Sequence, residues 1–153
     1  MLLKMIPEAI SAAWDQISYH IERALPEGEK TPATMNNLLE MLLVGQAHCW
    51  TSYDAEDNNK VNFIGVTVPI YNGITGEKNL LLYNVTNSVN MDLKTSNRLW
   101  LEGLQAFKKY AKAHGYRKLV SYFNDDNNRS LRLSRRLGAD IKYYIEVDMT
   151  TGD

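Results

Sequence analysis

The sequence predicts an α/β domain of the α+β kind, with a mixed, mostly antiparallel central sheet and about four helices in the order (β)ααβββαβαβ. Three patterns lead there. Apolar residues recur at three- and four-residue steps before residue 45. A period-two alternation with turn signals between its segments takes over from Ala47 to Val85. The rest of the chain reads helix, strand, helix, strand, each piece bounded by its own stop signal.

The apolar start at Leu2 and Leu3 is a short strand or lead-in. Pro7 then opens a segment whose Ile6, Ile10, Ala13, Trp14, Ile17, Ile21 and Leu25 fall on one helical stripe, and Pro26 and Gly28 end it. After a polar linker, Thr34 is placed to cap a second helix carrying Met35, Leu38, Leu39, Leu42 and Leu43, which stops at Gly45. Residues 47–53 and 61–71 pair as a hairpin across a polar turn at 54–60, with Ile64, Val66, Val68 and Ile70 on one face of the second strand. Asn72-Gly73 and Gly76 make the next turn. Leu80, Leu81, Leu82, Tyr83 and Val85 follow, a run apolar on both faces and hence a central strand. Residues 86–96 form a loop into a long helix through Leu101, Leu104, Phe107, Tyr110 and Ala111, closed by His114-Gly115. Residues 119–123 are a short buried strand, and Asp125-Asp126-Asn127 is an acidic start to a helix ending at Leu137-Gly138. In the closing strand Ile141, Tyr143, Ile145, Val147 and Met149 alternate with Lys142, Tyr144, Glu146 and Asp148.

The chain of 153 residues fits a single domain over 1–153, since no repeat, low-complexity tract or linker divides it. At that size folding buries roughly 68–70% of the surface the extended chain exposes, enough for a core without staples. Seventeen basic and eighteen acidic residues leave a net charge of −1, so no global field selects nucleic acid or an anionic membrane. Any electrostatic recognition is local. A lone Cys49 excludes an intrachain disulfide, and Lys4 and Pro7 break the apolar start too early for a secretory signal, which points to a reducing cytoplasm. The longest apolar run contains Glu40 and is far short of the ~20 residues of a membrane helix.

Asn127 followed by Leu131, Leu133, Leu137 and Gly138, preceded by the helix-glycine-strand junction at 111–120, resembles the GNAT acyltransferase superfamily, as does the order of elements across nearly the whole chain. The resemblance implies a split central sheet beside Tyr83 and Tyr122 that admits the pantetheine arm of acetyl-CoA. It also implies a glycine-rich loop at the start of the long helix, where backbone amides bind the cofactor's pyrophosphate. Here the sequence departs from the family. The positions fall near Ser96, Arg98 and Trp100, and no glycine occurs anywhere from 86 to 101. Side chains there obstruct the approach of phosphate oxygens to several amides at once.

The resemblance also implies a tyrosine seven residues after Asn127 that protonates the departing thiolate; this position is Ser134, a shorter and far weaker acid. Tyr143 or Tyr144 could substitute from the last strand, although alternation there suits packing or surface roles. Glu77 and Asp92 flank the central strand in turn-like sequence and neither stands out as a general base. If a cofactor site survives, Lys94, Thr95, Ser96, Arg98 and Asn127 are its candidate residues, the cations pairing with phosphate by charge. The plainer reading is that Thr95 or Ser96 caps the helix, that Lys94 and Arg98 are solvated, and that Trp100 packs.

His20, His48 and His114 lack metal-ligand spacing, and Cys49 beside Trp50 reads as a small buried hydrophobe, so no metal is expected. Arg129, Arg132, Arg135 and Arg136 occupy successive turns of the last helix and are candidates for a partner surface. A solvated face balanced by Asp125, Asp126 and Asp140 is the ordinary alternative. The expected function is therefore a GNAT-fold binding or structural module without acetyl transfer and without cofactor. Its expected partner is a protein, in a bacteriophage virion or a homo-oligomer, rather than nucleic acid or a membrane. The alternative is an active N-acetyltransferase using acetyl-CoA through an atypical loop.

Overall fold

The computed structural model describes residues 2–53, 61–87, 92–122, 128–136, 138–142 and 145–150, which fall into two compact units, Met1–Tyr122 and Phe123–Asp153. In the first unit, β1 (Leu2–Lys4), β2 (His48–Tyr53), β3 (Val61–Tyr71), β4 (Lys78–Asn87) and β5 (Lys118–Ser121) form one sheet in that spatial order. Neighbours are antiparallel except β4 and β5. A parallel pair cannot be closed by a tight turn, and α4 (Leu93–Ala113) supplies the crossover.

Alternation along β2 and β3 sends side chains to two different cores. Cys49, Ile64 and Val66 pack with Ile10 and with Ile17, Ile21, Leu38 and Leu42 of the N-terminal helices, α1 (Pro7–Ala12), α2 (Trp14–Ala24) and α3 (Pro32–Leu43). The intervening residues build an aromatic layer. Trp50 meets Phe107 of α4 edge-on at 5.5 Å and Tyr110 at 4.7 Å, and Phe63 lies 6.1 Å from Phe107. Trp50 Nε1 donates to the buried Thr67 Oγ1 at 2.9 Å, so the indole is satisfied inside the core. Gly65 leaves room for this layer, because a Cβ there would stand 2.9 Å from the Phe63 ring. Leu104, Phe107 and Ala111, at helical steps of three and four, are the buried stripe of α4. Burying each large side chain contributes about 1.5–3 kcal/mol.

Several boundaries differ from the sequence reading. The first helix is two, because Ala13 leaves helical geometry at φ −110° and ψ 16°; nothing in the local sequence marks that break. The cap of α3 is Thr31, not Thr34: Pro32 takes the first helical position, where its missing N–H costs nothing, and the Thr31 side chain accepts from Thr34 N–H at 3.1 Å. The lead-in is a true strand paired with β2. The long helix begins at Leu93, inside the expected loop.

The second unit contains α5 (Asn128–Arg136), followed by Gly138 at φ +79°. Among the described residues of 139–150 no strand is assigned, and Tyr143 and Tyr144, in the middle of the expected closing strand, lie outside the described residues.

Candidate functional site: the divergence of β4 and β5

β4 and β5 stay paired for four residues only, from Asn79 opposite Lys118 to Leu82 opposite Ser121. β5 ends there, whereas β4 runs on to Asn87, held on its other edge by β3. From Tyr83 onward no pairing of β4 with β5 is present among the described residues, and Tyr83 and Tyr122 are the first residues beyond the paired stretch. At the last pair Ser121 Oγ donates to the Leu82 carbonyl at 3.3 Å.

Tyr83 is singular in a second way. Val66 faces Asn84 and Thr67 faces Leu82, so Tyr83 is the extra residue of a β-bulge, a device that bends a strand and re-aims a side chain. Its hydroxyl donates to Glu29 Oε2 at 3.4 Å, across 54 residues of sequence. Burial first, and then the Glu29 charge, push the phenol pKa above its ordinary value. Tyr83 is thus an aromatic hydroxyl just beyond the paired stretch, and a reluctant proton donor. Neighbouring Asn84 donates through Nδ2 to the Ile21 carbonyl at 3.3 Å, while its buried Oδ1 has no hydrogen-bond partner among the described residues.

The N-terminus of α4 is closed by the chain itself. Asp92 is the cap, and its Oδ1 accepts from Thr95 N–H at 2.7 Å, while its carbonyl accepts from Ser96 N–H at 3.0 Å. The Thr95 amide and hydroxyl, and to a lesser degree the Lys94 amide and the Arg98 charge, hold the Asp92 carboxyl below the usual carboxylate range. Capping by Thr95 or Ser96 is therefore overturned: a carboxylate outcompetes a hydroxyl as acceptor at the positive end of a helix dipole. Thr95 is half-buried and acts as donor to the cap, Ser96 is buried, and Lys94 and Arg98 are exposed. At this terminus the Thr95 amide is committed to the Asp92 carboxylate, which places a negative charge at the start of α4.

The other candidates do not converge. Glu77 lies at the opposite end of β4 from Asp92, between Arg117 and Lys118, so the two carboxylates that flank the strand share no site. Ser134 is half-buried on α5, and its carbonyl accepts from Ala139 N–H at 3.1 Å. Arg132, Arg135 and Arg136 are exposed on that helix. Asn127, Tyr143 and Tyr144, and the side chain of Arg129, lie outside the described residues. Cys49 is buried, and desolvation pushes its thiol up to about 12, which removes it as a nucleophile. His48 is held below its ordinary pKa by burial and by Lys4. His114 stacks on Tyr110 at 4.0 Å as part of the helix end. Among the described residues no three His, Cys, Asp or Glu side chains gather into a metal site, and no helix is long and apolar enough to cross a membrane.

Two of these features escaped the sequence. Asp92 before Leu93, with Thr95 three residues after the Asp, is a readable cap signal that the search for phosphate-binding residues passed over. Tyr83 with Glu29 has no local signal at all.

No family model matches the chain, and no curated protein matches it in sequence. Its architecture, by contrast, is shared with solved acetyltransferases. A probable acetyltransferase is 11% identical with a TM-score of 0.74, the match covering 100% of this chain and 99% of that one. The ribosomal-protein-alanine N-acetyltransferase of Brucella melitensis biovar Abortus 2308 is 9% identical, with a TM-score of 0.66 and coverage of 97% and 98%. Glucosamine-6-phosphate N-acetyltransferase of Arabidopsis thaliana is 10% identical, with a TM-score of 0.66 and coverage of 98% and 97%. The chain shares the fold of these acetyltransferases, the GNAT fold.

Proposed function

We propose that this chain is a binding module built on the GNAT fold and that it does not transfer acetyl groups from acetyl-CoA. The observation that carries the reading is Asp92: its carboxylate takes the Thr95 amide at the α4 terminus, where a cofactor pyrophosphate needs free donors and no negative charge. The absence of glycine from 86 to 101 and the serine at 134 agree with it. The reading extends to a structural component of a bacteriophage virion, the context expected from the sequence, for which the chain must be present in purified particles by mass spectrometry. Calorimetry with acetyl-CoA tests the core of the proposal. No heat is expected at millimolar cofactor; micromolar binding that weakens in Arg98→Ala would overturn it.

A second reading is favoured by one observation, the shortness of the β4–β5 pairing, which among the described residues ends at Leu82 opposite Ser121 and leaves the Tyr83 edge beyond it. In an acyl-CoA-dependent N-acyltransferase that edge would receive the pantetheine amides, with Lys94 and Arg98 holding phosphate by charge. The same titration separates the two.

A further inference from the structure

The opposite end of β4 carries a different concentration of charge. There the β3–β4 turn and the α4–β5 junction enclose a shallow cleft of about 460 Å³, with Thr75, Gly76 and Gly115 in its wall. Because β4 and β5 are parallel, both strands begin here, and Arg117 N–H donates to the Lys78 carbonyl at 2.8 Å. Lys78, Arg117 and Lys118 are thereby brought to one place from segments 40 residues apart in sequence.

A single carboxylate stands among them. Glu77, 16% exposed, has its Oε1 3.3 Å from Arg117 Nε and 3.2 Å from Lys118 Nζ, close enough for ion pairing but without hydrogen-bond geometry to either. Lys78 Nζ lies over the Tyr116 ring, 4.2 Å from its centroid. Three cations against one carboxylate leave a formal excess of two positive charges. Among the described residues none of the three side chains donates a hydrogen bond, although Arg117 and Lys118 are 77% and 55% exposed on the cleft.

We propose that this cleft binds a compact phosphomonoester. Above its second pKa of about 6 such a group is a dianion, which matches the excess charge. The guanidinium of Arg117 can offer paired donors to phosphate oxygens, with Lys78 and Lys118 as point charges on either side. Glu77 positions the two cations it touches. A nucleic-acid strand fits less well: Lys78 covers the ring of Tyr116, leaving no open aromatic face for a base, and the site is a concavity rather than a track. The cleft lies away from the α4 N-terminus, so the proposal stands or falls independently of acetyl-CoA binding.

The test is an amide-resolved NMR titration of the full chain with inorganic phosphate and with ribose 5-phosphate, against chloride at matched ionic strength. Shifts confined to residues 75–78 and 115–118 are expected, stronger above the second phosphate pKa. Arg117→Glu should weaken binding by about tenfold or more, whereas Arg23→Glu, the same charge change on exposed α2, should leave it intact. Lys78→Met provides a second reduction without charge reversal. An equal response to chloride, or unaltered affinity in Arg117→Glu, overturns the proposal. So does tighter binding of a short oligonucleotide with shifts spreading to Lys108, Lys109 and Lys112.

Discussion

The two ends of α4 are finished by different means. At the N-terminus an acid meets the positive end of the helix dipole and its side chain takes the Thr95 amide. At the C-terminus Gly115, at φ +75°, lets Tyr116 N–H return to the Ala111 carbonyl at 2.9 Å, which closes the helix through its backbone. The basic side chains of the junction take no part in that closure: Arg117 and Lys118 share the Glu77 carboxylate and Lys78 lies over Tyr116. Donors are answered by a carboxylate at the first end, whereas three cations gather around one carboxylate at the other. The contrast teaches that charge has to be located on the molecule, since net charge and composition record neither end.

The contrast can be broken most severely from the middle. Phe107 is the fully buried anchor between the two ends, and Phe107→Ala should cost about 3–5 kcal/mol in urea unfolding. A loss near zero would mean that α4 is not held by the aromatic layer. Gly115→Ala should cost roughly 1–2 kcal/mol, because the left-handed conformation disfavours a Cβ even though nothing lies within 4 Å of it. It should also disturb the Arg117 and Lys118 amides, which the NMR titration reads directly.

The smallest effect is expected at the acidic end. The folded-state pKa of Asp92 is depressed, so its stabilisation is present above the unfolded carboxylate value of about 3.9 and disappears as pH falls through the lower folded value. Asp92→Asn should therefore lower the thermal midpoint slightly at neutral pH, with the two proteins converging in acid. Midpoints measured across that range check the sign; a difference that persists unchanged at low pH would assign the effect to something other than charge. A gain of acetyl-CoA affinity in Asp92→Asn over the wild type would show that the Asp92 carboxylate opposes the cofactor at this terminus.

Much of the first unit was legible because its turns are punctuated: Gly45, Asn72-Gly73, Gly76 and Gly115 bound the elements, and the alternation of 61–71 separates the two faces of the sheet. The glycine-free stretch was legible for the same reason, glycine being the residue whose absence has a local geometric meaning. Three things were not. The Tyr83 bulge depends on register between strands, which no single segment carries. The Tyr83–Glu29 contact and the Lys78, Arg117 and Lys118 cluster join distant segments through tertiary packing.

Cys49 gives the molecule a clock. Its thiol is fully enclosed between the sheet and the N-terminal helices and is protonated at any working pH, so alkylating reagents meet it only when that layer separates. With one sulfhydryl in the chain, the rate of labelling counts openings of a single, known place. Any ligand that grips the β3–β4 turn, or any partner that seats on α1–α3, will slow that count by an amount that reports how far across the sheet its grip is felt.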